Sequence, residues 1–115
     1  MECVDGLSLW QGITERLDML DDAVRCLRFR GRDYAEAESA YRQALAVEIL
    51  RLREEEGLPV TIIPDLARGN EKIAALKVER DCAEALYKSA LEAINVNKLR
   101  VKILEAQHER EWGRQ

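Results

Sequence analysis

The sequence has little of what builds a cross-linked or catalytic domain. Its three cysteines, Cys3, Cys26 and Cys82, are odd in number, far apart and without C-x-x-C spacing. That pattern excludes a disulfide framework and a thiolate metal site, and fits a reducing cytosol. Aromatic residues make up only 5% of the chain, so a core centred on large rings is not indicated. No apolar run approaches the roughly 18 residues of a membrane span. The opening Met1-Glu2-Cys3-Val4-Asp5 lacks the basic, apolar and small-residue order of a signal peptide, so no membrane association is expected. The single histidine, His108, has no Ser or Cys at a recognisable spacing, and no glycine-rich phosphate loop is present. The expectation is a chain that is not an enzyme and takes no cofactor.

What is present favours helix. With 47% apolar and 35% charged residues in 115, the chain suits one folded domain spanning 1–115. From Trp10 the apolar residues fall at Ile13, Leu17, Leu20, Val24 and Leu27, the alternating three- and four-residue steps of a coiled-coil seam. The register continues through Gly31 to Tyr34, Tyr41, Leu45 and Leu52, interrupted only by Glu38 and Glu48. Gly31 also resembles a helix end, with Asp33 and Glu36 spaced as a capping box, so a break at 31–33 competes with one kinked helix over 8–56.

Gly57, Pro59, Pro64 and Gly69 mark a connection over 57–69, within which Pro64–Arg68 suits a single turn and Asn70 suits a cap. A long helix is then expected over 70–112. Its seam reads Ile73, Leu76, Arg80, Ala83, Tyr87, Ala90, Ile94, Asn97, Val101, Leu104 and His108, with a second row at Ala75, Cys82, Leu86 and Ala93. Helices of about 73 and 65 Å match in length. The predicted fold is therefore all-α: a long antiparallel, coiled-coil-like helical hairpin, its first arm continuous or broken at Gly31. Positions whose numbers add to about 126 stand opposite one another, bringing Trp10 and Ile13 towards Trp112. A lone two-helix unit buries little, so a homodimer completing a four-helix bundle is expected.

Charge is uneven. Residues 1–24 carry six acids and one base, whereas Arg25, Arg28, Arg30 and Arg32 lie within eight residues and Lys98, Arg100 and Lys102 within five. The opposition rule merges these into one basic zone able to contact phosphates or an acidic partner, with Phe29 available to stack on a base. Asp18, Asp21 and Asp22 stand three to four residues from Arg25 and Arg28, where helix-face ion pairs account for much of the cluster. The net charge of −4 argues against a dedicated DNA binder.

Other motifs have plain structural readings. Gly31–Leu45 resembles the second helix of a tetratricopeptide repeat at Tyr34, Ala37, Tyr41, Ala44 and Leu45, yet no second copy exists, and small residues beside Tyr knobs explain it. Glu105-x-x-His108 has the spacing of bundle metal sites, with Asp21 or Asp22 opposite, but lacks the second motif such sites need. Gly69-Asn70 opening a helix is ordinary capping before it is an anion site. Asn97 on the seam reads as a residue that fixes register or oligomer state, and Arg80 as one that either snorkels toward an acid or marks a gap in packing. Val60, Ile62, Ile63, Leu66 and Arg68 at the hairpin tip either plug the bundle end or present a patch to a partner.

The stretches Leu58-Pro-Val-Thr-Ile-Ile-Pro-Asp-Leu-Ala-Arg-Gly-Asn and Glu84-Ala-Leu-Tyr-Lys-Ser-Ala-Leu-Glu-Ala-Ile resemble small helical proteins of phages and prophages of Gram-positive bacteria, over Leu58–Leu104. The resemblance implies a place among early recombination and replication genes, in the bacterial host cytoplasm, with no assigned activity. The expected function is a non-enzymatic accessory protein that binds a host or phage protein, such as an inhibitor of a host nuclease or CRISPR-type defence complex. The alternative is a nucleic-acid-binding accessory in phage recombination or replication.

Overall fold

The computed structural model describes residues 6–112. Its helices are α1 (Gly6–Glu54), α2 (Ile63–Arg68) and α3 (Glu71–Trp112), and the described residues contain no strand. The fold is all-α, a helical hairpin whose long arms, α1 and α3, pack against each other.

α1 passes through Gly31 without interruption. A glycine inside a helix costs about 1 kcal/mol relative to alanine, which helical residues on both sides readily offset. The capping box is not formed: the Glu36 carboxylate instead accepts a hydrogen bond from Arg32 Nε at 3.1 Å. The helix stops where the backbone reverses at Gly57, the one described residue with positive φ, at 59°. That left-handed turn lets the Leu58 N–H reach the Leu52 carbonyl at 3.4 Å.

The connection folds as its residues predict. Pro64 sits in the first turn of α2, where its missing N–H is harmless, and Gly69 follows the last helical residue. Asn70 Oδ1 accepts hydrogen bonds from the Lys72 and Ile73 amides at 2.9 and 3.4 Å, capping α3.

Two compact units can be distinguished: residues up to Arg28 with those from Lys88 onward, and Phe29–Tyr87. Within each, α1 and α3 segments run antiparallel. In the Phe29–Tyr87 unit, Leu52, Ile63 and Ala67 form a buried cluster, with Leu45, Ile49 and Leu58 packed around it. The ring of Tyr34 lies 6.0 Å from that of Tyr87. In the terminal unit, Leu9, Ile13, Ile94 and Val101 are buried.

The predicted seam of α3 is inside at every position, buried or half-buried. The predicted seam of α1 holds from Tyr34 onward but is rotated earlier, where Leu9, Arg16 and Ala23 turn inward beside Ile13, Leu20 and Leu27. Trp10, Leu17 and Val24 are left 57, 46 and 39% exposed. The rotation presents Gly12 to Leu104 and Arg16 to Asn97.

Register also differs from the expected rule. Trp10 meets His108, Gly31 meets Tyr87, and Glu38 meets Arg80, so opposed numbers add to about 118, a displacement of some two helical turns. The physical reason is α2: Ile63 and Ala67 occupy the apolar surface of Ile49 and Leu52, so α3 begins its pairing further back along α1.

Candidate interaction surface

The tip residues divide. Ile63 is 2% exposed and belongs to the core, which removes it from a partner-binding patch. Val60, Ile62 and Leu66 are 68, 42 and 47% exposed. Among the described residues Arg68 forms a salt bridge with Asp65 of its own helix alone, at 3.9 Å.

Within the terminal unit, Arg25 and Arg28 do not merge with Lys98, Arg100 and Lys102 as expected. There the displaced register sets Lys98, Arg100 and Lys102 beside the Arg16 turn of α1 rather than beside Arg25 and Arg28; Arg100 and Arg16 line a common groove. Arg25, in the same unit, pairs with Asp22. Arg30 and Arg32 belong to the other unit, where Arg32 pairs with Glu36. Among the described residues no salt bridge involves Arg28, Arg30, Lys98, Arg100 or Lys102.

Both acids that interrupt the α1 seam are neutralised by arginines. Glu38 is bonded by Arg42 and approached by Arg80 Nε at 3.5 Å. The Arg42 hydrogen bond, with help from Arg80, holds its carboxyl below the usual range. Arg80 snorkels as its position suggests: its guanidinium lies 4.7 Å from the centroid of the Tyr41 ring and bonds Asp81 at 2.8 Å. That hydrogen bond lowers the Asp81 carboxyl pKa. Glu48 accepts a bond from Arg51 at 2.7 Å, which likewise lowers it. On the other seam polar position, Asn97 Oδ1 accepts a 3.4 Å hydrogen bond from Arg16 Nη1.

His108 is committed to aromatic packing. Its ring stands 6.3 Å from Trp10 and 6.0 Å from Trp112, so the two tryptophans meet through it. Gly6 lies so close to the Trp112 indole that a β-carbon there would overlap the ring. Among the described residues no three His, Cys, Asp or Glu side chains converge as metal ligands, and Asp21 and Asp22 are not opposite His108. At the start of α3, the Asn70 side chain takes the amide hydrogens an anion would need. Cys26 and Cys82 are free and exposed; Cys3 and the rest of 1–5 lie outside the described residues.

Sequence reasoning found the second row of α3, whose Ala75, Cys82, Leu86 and Ala93 are all exposed, but missed further apolar surface in the terminal unit. In the terminal unit Met19, Val96, Leu99 and Ile103 are 49, 38, 59 and 55% exposed. The available signal was the three- and four-residue spacing of Val96, Leu99 and Ile103, a further periodic stripe on α3. No helix of the described residues is long and apolar enough to cross a membrane. Comparison with known protein families, curated proteins and solved structures finds no match.

Proposed function

We propose that this chain acts by binding other proteins, without catalysis or cofactor. The observation that carries the reading is the quantity of apolar side chain left outside the hairpin seams, above all Leu17, Val24, Leu99 and Ile103 on helices that supply nothing to cover them. Little is buried to hold such a chain folded by itself, and no described side chain larger than alanine is below 2% exposure. The same surface supports self-association to a homodimer. The resemblance to phage and prophage proteins suggests a setting, a bacterial host cell; the target class, a host nuclease or CRISPR-type defence complex, is our expectation from that setting and from the charged helical shape. Glu15, Asp18, Asp21 and Asp22 are all exposed on α1; a row of carboxylates competes with phosphates for a basic groove. The test is a pull-down from host lysate with the wild-type chain and an L17E/V24E variant, alongside assays of host nuclease activity and CRISPR interference. Wild type is expected to capture a partner and inhibit, and the variant to lose both. Recovery of the chain alone, with no effect in either assay, overturns the proposal.

A second reading, binding of nucleic acid in phage recombination or replication, draws on the unpaired arginines Arg28 and Arg30 and on Phe29, 69% exposed between them in sequence. It requires retardation of single- or double-stranded DNA that weakens steeply with salt; no shift at low salt removes it.

A further inference from the structure

The exposed flank of α3 that borders Arg16 and Met19 of α1 in the terminal unit has a self-complementary order. At 3.6 residues per turn, the positions from Ser89 to Ile103 on this face lie within about 120° of the helix circumference, centred on Val96. All of them are exposed. Val96 lies at the middle, small residues lie on its N-terminal side at Ser89 and Ala93, and large ones on its C-terminal side at Leu99 and Ile103. Glu92 and Arg100 stand four residues before and four after it. Among the described residues neither Glu92 nor Arg100 forms a salt bridge, and Arg100 lines a groove with Arg16, whose polar contacts are to Asn97 and Met19 alone. This groove, which Glu92 also lines, therefore holds two guanidinium groups with no carboxylate bonded to either.

We propose that this face joins a second copy of the chain, α3 antiparallel to α3, about a two-fold axis at Val96. The assignment rests on the self-association reading above and names its surface. Antiparallel pairing about that residue brings Glu92 level with Arg100 of the partner subunit and Arg100 level with Glu92 of the partner subunit. It also sets Ser89 beside Ile103 of the partner subunit and Ala93 beside Leu99 of the partner subunit, a small side chain beside a large one at each level. Parallel pairing would instead put Arg100 against its own copy, beside two Arg16 side chains, which is repulsive. An isologous contact of this kind closes at two copies, since each patch is used once.

Sedimentation equilibrium of the full chain, with circular dichroism to check helicity, tests the assignment. Wild type is expected to dimerise reversibly. E92R and R100E alone each place like charges together twice per dimer and raise the dissociation constant about tenfold or more, while E92R/R100E returns it to within about threefold of wild type. In a C3S/C26S/C82S background, V96C is expected to cross-link to its own copy under mild oxidation, and V78C, at an exposed position of the other unit, is not. A monomer at every concentration overturns self-association and this face together. A dimer indifferent to both single reversals, with no cross-link through position 96, overturns this face and leaves self-association standing.

Discussion

Gly31 occupies the interior of α1, and a β-carbon added there would lie 3.4 Å from the Tyr87 ring, an ordinary van der Waals contact. G31A is therefore expected to stabilise the chain by about 0.5–1 kcal/mol through the cost glycine carries in a helix, read as a higher urea midpoint at unchanged slope. Glu38 and Asp81 act through charge. Both carboxyls are held below their usual pKa by arginines, so the stability they contribute is complete above the ordinary carboxylate range, near pH 4–4.5. It is lost as pH falls from there through the lowered folded-state values. Urea titrations between neutral pH and about pH 3 are expected to show a shallower acid loss for E38Q than for wild type; equal slopes would mean that the Arg42 and Arg80 contacts carry no net weight.

At the level of elements, Asn70 and α2 make distinct predictions. N70A removes the acceptor for two amides of α3 and should cost about 1 kcal/mol. I63A empties the centre of the Leu52–Ala67 cluster and should cost about 2–5 kcal/mol, whereas V60A at the exposed tip should stay within about 0.5 kcal/mol, all read from chemical denaturation. These elements were legible because turn and cap chemistry is local: Pro64, Gly69 and Asn70 each specify their own backbone. The α3 seam was legible for the same reason, a clean repeat read within one helix. Register was not, because it depends on how far α2 folds back over Ile49 and Leu52, and no spacing in either long helix records that distance. The rotation of the first turns of α1 escaped for a related reason. Leu17 and Val24 fit the repeat better than Arg16 and Ala23, but a small residue and an arginine able to reach Asn97 let α3 lie on the other row. Among the candidate residues, exposure at the tip and separation of the basic segments both follow from these two tertiary facts.

Across the whole molecule, the described core consists of nine buried apolar residues, and the self-association proposed above would add to the stability so small a core supplies. The melting temperature is therefore expected to rise with protein concentration, as binding to the folded state requires; a midpoint independent of concentration would remove association from the account of stability. The aromatic residues fall into a partition with a practical consequence. The tryptophans, Trp10 and Trp112, lie in the terminal unit, and the tyrosines, Tyr34, Tyr41 and Tyr87, lie in the other. Each unit thus carries its own reporter, and the molecule is a ready-made two-channel thermometer: indole emission follows one half of the chain, the phenol ring resonances in proton NMR the other, with no label attached. Because α1 and α3 each run through both units, the two signals are expected to change at one temperature.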